Sequence, residues 1–296
     1  MKKIQRIKGL VVLRLVIRHG VFFRLLTSTL YDVINSNAGE KEEEKSWHRL
    51  RSNASLACRA TLVSVTFPNG TRVHCHLLPR TIRRLILLNG AWLTGELDQL
   101  PCKLTHLALG FYFDRPVDRR FFLDNQMLSS LTHLTLGWMF NQPVDMLFLG
   151  LTHLTLGGCF NQSVDNLPPS LTHLTLGYDF NQPISRLPSK LTHLTLDYEF
   201  NQPVNHLPSS LTHLFFGALF NQPVDRLPLG LTHLSFGHSF NHPVNKLPFS
   251  LMHLTLGRRF RKPLEGLPPG LTHLVLSWRY TLPLDHLSPT LVVKRL

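Results

Sequence analysis

Leu171-Thr-His-Leu-Thr-Leu-Gly-Tyr-Asp-Phe-Asn-Gln-Pro-Ile-Ser-Arg-Leu-Pro-Ser-Lys190 returns almost unchanged every twenty residues along the second half of this chain. Its opening pattern of an apolar residue, two others, an apolar residue, one other and an apolar residue recurs at Leu131, Leu151, Leu171, Leu191, Leu211, Leu231, Leu251 and Leu271. Self-similarity at so short a period marks a solenoid, in which each unit buries its apolar residues only by stacking on its neighbours. Parallel strands are therefore predicted near residues 131–136, 151–156, 171–176 and onward, about 4.8 Å apart in a single sheet.

Within one unit six apolar positions define the core, here Leu171, Leu174, Leu176, Phe180, Ile184 and Leu187. Leu174 and Leu176 alternate with His173 and Thr175, so a short strand turns the leucines inward and presents His and Thr on the other face. Gly177 ends the strand. Pro183 and Pro188 lack an N–H and fix φ, which favours extended or polyproline-like return segments over a helix. Asn181 and its equivalents Asn141, Asn161, Asn201, Asn221 and Asn241, each preceded by Phe, mark a turn. Two readings stand for them: amides that bond to backbone groups of neighbouring coils, or exposed asparagines.

Leu-Thr-His-Leu-Thr-Leu-Gly-x-x-Phe-Asn-Gln-Pro-Val resembles the FNIP repeat, a short relative of the leucine-rich repeat abundant in social amoebae and in giant DNA viruses of amoebae. Phe140-Asn141-Gln142-Pro143 recurs almost letter for letter at Phe180, Phe200 and Phe220. The match is strong from Leu131 to about Leu287 and weak from Leu62 to Ser130. The resemblance implies a mainly β, leucine-rich-repeat-like solenoid that serves in protein binding. An F-box often precedes such repeats. Here its Leu-Pro start and its closing Cys-x-x-Trp-like helix are not recognisable, so residues 1–60 are either a helical cap or a divergent F-box-like segment.

Residues 1–60 contain no repeat and hold twelve Lys and Arg against five acids, about half of the net charge of +13. Lys2, Lys3, Arg6 and Lys8 ahead of Gly9-Leu10-Val11-Val12-Leu13 imitate a secretory signal, but Arg14 and Arg18 break the apolar run and no small-residue cleavage site follows. A strand or a buried helical turn is expected there, with mitochondrial targeting as the alternative. Phe22, Leu26, Leu30 and Val33 or Ile34 at near-helical spacing predict a capping helix over residues 21–34, and residues 47–58 suit a second short helix. The charge run Glu40 to Lys45 reads as a solvated loop.

The solenoid is placed at residues 61–296. Its first units are degraded: Leu62, Val65 and Phe67, then Ile82, Leu85 and Leu87, then Leu104, Leu107 and Leu109 supply the strand positions. The unit beginning at Leu104 runs twenty-seven residues, and its surplus near Arg119 to Asn125 is expected to form a surface loop. At the other end Lys294 occupies a core position, which is tolerable only on a last coil.

No uncharged apolar run reaches eighteen residues, so no membrane span is expected. Cys58, Cys75, Cys102 and Cys159 show no paired spacing, which suggests an intracellular, cytoplasmic setting without disulfides. The sequons at Asn53, Asn69 and Asn161 are too short a pattern to weigh. Repeated Ser, His and Asp form ladders rather than a unique pocket with nucleophile, base and orienter, and no phosphate-binding glycine loop is present. No catalytic residue, cofactor site or metal site is therefore assigned; Cys58 with His74-Cys75-His76 matches no zinc spacing.

A non-enzymatic protein-interaction scaffold is the expected function, with a ubiquitin-ligase substrate adaptor as its extension. The alternative is a basic protein that binds nucleic acid or an acidic surface, suggested by a pI near 10.1. The candidate binding face joins two sets. One is the histidine row His133, His153, His173, His193, His213, His233 and His253, with His106 and His273 in line. The other comprises the variable residues after each strand, Trp138, Tyr178, Tyr198, His238, Arg258, Arg259 and Trp278. The histidines should titrate broadly and low, making the face acid-sensitive or letting adjacent rings share zinc or nickel.

Overall fold

The computed structural model describes residues 14–16, 61–67, 72–78, 80–117 and 129–296, which fall into two compact units. The first comprises Met1–Phe113 and Arg119–Gly137; the second comprises Asp114–Asp118 and Trp138–Leu296. Both are parallel β solenoid, together about eleven turns at a spacing of about 20 residues. The predicted helices over 21–34 and 47–58 and the surplus loop near Arg119 to Asn125 lie outside the described residues.

In the first unit, β2 (Thr61–Phe67), β4 (Arg84–Leu87), β6 (His106–Ala108) and β7 (His133–Thr135) run parallel, pairing Phe67 with Leu87, Leu85 with Leu107 and Leu107 with Leu134. Ile82, Leu85, Leu87, Leu104, Leu107 and Leu109 are buried, so the second and third degraded units supply the core positions assigned to them, and Phe67 of the first is buried too. Two features were not expected. β1 (Arg14–Val16) pairs antiparallel with β2, setting Leu15 opposite Leu62, so one edge of this sheet is closed by a strand of opposite direction. In addition, β3 (Arg72–His74) and β5 (Trp92–Thr94) form a second, two-stranded parallel sheet, followed respectively by single 3-10 turns at Cys75–Leu77 and Leu97–Gln99.

In the second unit, one strand per coil stacks parallel from β8 (His153–Thr155) through β9 (His173–Leu176), β10 (His193–Leu196), β11 (His213–Phe216), β12 (His233–Ser235), β13 (His253–Leu256) and β14 (His273–Leu276) to β15 (Val292–Arg295). Register is letter on letter: His193 lies beside His213 and Leu194 beside Leu214. Leu171, Leu174, Leu176, Phe180 and Ile184 are all buried. Leu187 is only half-buried, and its neighbour Pro188 is the buried member of that corner.

Three ladders hold the coils together. Phe140, Phe160, Phe180, Phe200, Phe220, Phe240, Phe260 and Tyr280 form an interior spine, successive rings 5.8–6.2 Å apart and nearly parallel. The asparagines form the second ladder. Asn161, Asn181, Asn201, Asn221 and Asn241 each donate a backbone N–H to the Oδ1 of the asparagine one coil earlier, at 2.9–3.0 Å, which satisfies donors that the turn would otherwise orphan. In the third, Thr172, Thr192, Thr212 and Thr232 donate their hydroxyls to the backbone oxygen of the preceding threonine at 3.0–3.1 Å. Lys294 does not hold the core position that the sequence spacing assigned to it: the register sets Val293 beside Leu274 and Lys294 beside Val275 on the outward face, where its charge stays exposed.

Candidate functional site

The outward face of the second unit starts from the strand alternation, which places His153, His173, His193, His213, His233, His253 and His273 in one column. Successive rings stack 4.1–4.5 Å apart at interplanar angles of 10–17°. In the first unit His106 and His133 stack at 4.0 Å. The threonine ladder fixes the tautomer. The single hydroxyl proton of Thr172 is donated to the Thr152 carbonyl, so its 2.9 Å contact with His173 Nδ1 requires Nδ1–H to donate and the hydroxyl oxygen to accept. Thr192, Thr212, Thr232 and Thr272 impose the same arrangement on His193, His213, His233 and His273. Each of these neutral rings turns an unprotonated Nε2 away from the threonine. His253 lacks this hold, because Met252 stands where its neighbours have Thr.

Burial pushes His173, His193, His213 and His233 below the usual imidazole range, and for the last three the charges of neighbouring histidines push further. The low titration expected from a stacked row thus has a physical cause at these four rings. Metal sharing between adjacent rings does not fit this geometry. Face-to-face stacking keeps neighbouring Nε2 lone pairs side by side instead of converging on one ion, and the described residues contain no cluster of three or more His, Cys, Asp or Glu suited to a metal.

Beside the histidine column runs the variable column. Backbone bonds tie it down coil by coil: Asp179 N–H donates to the Gly158 carbonyl at 2.7 Å, Glu199 to Tyr178 at 2.9 Å, Leu219 to Tyr198 at 2.9 Å and Arg259 to His238 at 2.9 Å. Variable side chains thus stand on a fixed frame. Gly158 has a particular role in it. A Cβ there would collide with the Trp138 indole, so the missing side chain lets Trp138 lie across this coil towards Tyr178, with ring centroids 5.9 Å apart. Tyr178 then stacks on Tyr198 at 4.5 Å.

The structure brings Trp138, Tyr178 and Tyr198 into one aromatic run, while His238, Arg258, Arg259 and Trp278 continue the same column several coils on. Sequence reasoning missed Phe215, 38% exposed and 6.5 Å from the His213 ring, although its replacement of the usual strand Thr was a visible signal. Leu219 and Met139 are exposed alongside. The column also changes sign, with Asp179, Asp197 and Glu199 around the paired tyrosines and Arg258, Arg259 and Arg279 further along.

Reactive chemistry has no comparable assembly among the described residues. The Cys159 thiol is pushed up by burial and by Asp179, which disfavours a thiolate. Cys75 is buried while His76 is exposed, so these two do not converge on one ion, and Cys58 lies outside the described residues. A cavity of about 180 Å³ between the last two coils is lined mainly by Leu264, Leu267, Leu271, Leu287 and Leu291; of its two polar side chains, His286 sits 3.3 Å from the Leu264 backbone oxygen and the Ser288 hydroxyl 2.8 Å from that of Thr290. No helix among the described residues is long and apolar enough to cross a membrane.

Comparison with known proteins agrees with this architecture. The FNIP Repeat family matches at residues 149–179, 160–186, 180–218 and 220–259. Among solved structures, CroV588, described as a novel circular LRR protein structure, is 37% identical with a TM-score of 0.64 over 78% of this chain and 39% of that one. This chain thus spans about two-fifths of the length of that relative. The functional domain of InlJ from Listeria monocytogenes matches at 14% identity and TM-score 0.49 over 79% of this chain and 53% of its own. YopM from Yersinia enterocolitica matches at 20% and 0.39 over 91% and 72%. No curated protein sequence matches the chain. Residues 149–259 consist of FNIP repeats, and the solenoid they build is leucine-rich-repeat-like.

Proposed function

We propose that the chain is a non-enzymatic scaffold that binds a protein partner across the outward sheet face and the variable column beside it. One observation carries the reading: Trp138, Tyr198, Phe215, Leu219 and Trp278 are exposed apolar side chains, most of them on a backbone hydrogen-bonded from coil to coil. Large apolar groups held in place lose little conformational freedom on binding, and aromatic residues dominate the energetics of protein interfaces. Support also comes from the fold, since leucine-rich-repeat-like solenoids typically serve as interaction scaffolds. Within the second unit the histidine row His153, His173, His193, His213, His233 and His253 supplies the polar floor of this face, with Tyr178, His238, Arg258 and Arg259 at its flank.

The test places a photo-crosslinking amino acid at Tyr198 or Trp138, and in a parallel protein at Asn205 on the return segment. Crosslinks to one identified protein from the first two positions alone, lost in the W138S/Y198S variant at unchanged folding, are the expected result. Crosslinks arising only from Asn205 would place binding on the opposite side. The adaptor role for a ubiquitin ligase rests on family resemblance. Its test is whether the full-length chain captures ligase subunits that residues 61–296 do not.

A further inference from the structure

The coil from Leu251 to Gly270 departs from its neighbours at the turn. Where Leu191–Ser210 has Tyr198-Glu199-Phe200-Asn201-Gln202, this coil has Arg258-Arg259-Phe260-Arg261-Lys262, four cations in five residues. The frame survives the change. Arg261 N–H still donates to Asn241 Oδ1 at 2.9 Å, and its guanidinium folds back onto the carbonyls of Arg258 and Phe260. The next coil adds Trp278, 63% exposed, with the Arg279 guanidinium 4.8 Å from its ring centroid. Arg258, Arg259 and Arg279 are exposed, and among the described residues no carboxylate forms an ion pair with any of them.

From this ridge we infer that the coils from Leu251 onward dock an acidic, extended segment of the protein partner, its carboxylates on Arg258, Arg259 and Arg279 and an apolar side chain against Trp278. The inference rests on the scaffold reading and specifies its partner. Guanidinium groups take carboxylates in two-point contact, and here they stand ready on a turn whose backbone is fixed: Arg259 N–H donates to His238 at 2.9 Å and Trp278 N–H to Leu296 at 2.8 Å.

Two features favour a protein segment over a nucleic-acid strand, the other polyanion such a ridge could attract. First, the column turns acidic at Asp197 and Glu199, three coils from Arg259 or about 14 Å at the strand spacing, and at Asp179 one coil beyond. A phosphate backbone following the column would be drawn at one end and repelled at the other; a polypeptide can change sign along its length. Second, the Nε2 atoms of His173, His193, His213 and His233 are acceptors at neutral pH, fixed so by the threonine ladder. Phosphate oxygens offer them nothing, whereas peptide N–H and side-chain donors do.

The test measures fluorescence anisotropy of the full chain with a labelled peptide of about twelve residues, rich in Glu and carrying one Leu, and with labelled oligouridylate of similar charge, both at about 0.15 M salt. The peptide should bind more tightly. R258E/R259E/R279E should weaken it by about tenfold or more, the neutral R258Q/R259Q/R279Q should weaken it less, and D179K/E199K should not weaken it. Circular dichroism confirms that each variant is folded. Equal or tighter binding of oligouridylate, or peptide affinity unchanged by either arginine variant, would overturn the inference. Capture of the crosslinked partner that survives R258E/R259E/R279E but is lost in W138S/Y198S would overturn it too, while leaving the scaffold reading in place.

Discussion

Replacing Asn201 by alanine removes one rung of the asparagine ladder and leaves every other contact of the turn available. Asn201 Oδ1 accepts the Asn221 backbone N–H at 2.9 Å and the Gln222 side-chain amide at 3.2 Å. Gln222 also donates to the Asn201 backbone oxygen at 3.1 Å, so it keeps a partner, and Asn201 N–H stays bonded to Asn181 Oδ1. The loss therefore falls on the Asn221 N–H. A buried orphaned donor costs about 1–3 kcal/mol, and partial access of water at this turn selects the lower end, about 1 kcal/mol. Asn201→Asp should cost no more than about 0.5 kcal/mol at neutral pH, because a carboxylate accepts the same two bonds and accepts them more strongly. The chain already contains that arrangement: Asp114 Oδ1 accepts the Asn141 N–H at 2.9 Å and the Gln142 amide at 3.0 Å. Urea unfolding followed by circular dichroism and by tryptophan fluorescence gives the free energies where the two transitions coincide. Amide exchange at Asn221 should quicken in the alanine variant only. Equal stability of Asn201→Ala and wild type, or an aspartate variant as weak as the alanine one, would refute the ladder's role.

Leu174→Ala in a central coil should cost about 2–5 kcal/mol through lost burial and a cavity, read from the shift in urea midpoint. Tyr280→Phe removes a 3.0 Å bond from a buried hydroxyl to the Lys262 carbonyl and should cost about 1 kcal/mol by the same assay, with no loss of spine stacking. The histidine column gives a pH dependence of definite sign. His173, His193, His213 and His233 are held below the usual value of 6.5, so the folded state binds fewer protons than the unfolded one in that window. Their contribution is fully present above pH 6.5 and is lost as pH falls through the lowered values; NMR titration of ring protons should show midpoints below 6.5 and spread, and sharp transitions all at 6.5 would contradict it.

Leucines and prolines in the repeat were enough to read the strands, their parallel stacking and the absence of helix in the return segments. The choice left open for Asn181 and its equivalents resolves to coil-to-coil bonding, because a turn that repeats every twenty residues sets each backbone N–H beside the preceding amide. Other features depend on contacts that no local pattern encodes. The antiparallel pairing of Leu15 with Leu62 joins segments far apart in sequence and outside the repeat. The small sheet of β3 and β5 uses Val73 and Leu93 in units too degraded to show a period. At the candidate site the two columns were legible as columns. The reach of Trp138 over Gly158 was not, since it follows from what a neighbouring coil lacks.

Letter-on-letter register also creates an ambiguity of address. When His193 pairs with His213 and Leu194 with Leu214, a strand two coils away, or the same strand in another molecule, offers nearly the same partners. A slip by one whole period forfeits little local energy, unlike a slip by one residue, which would turn the leucines outward. During folding such a chain risks looping out a coil or exchanging coils between copies, a characteristic failure of repeat proteins. Departures from the consensus then act as labels. Phe216 and Phe236, with rings 5.5 Å apart where most coils have Leu, mark two adjacent coils by a bulkier core, and Gly158 accepts Trp138 where a side chain would refuse it. Restoring the consensus at these positions should therefore leave the native contacts nearly as strong while making the correct order of coils harder to find.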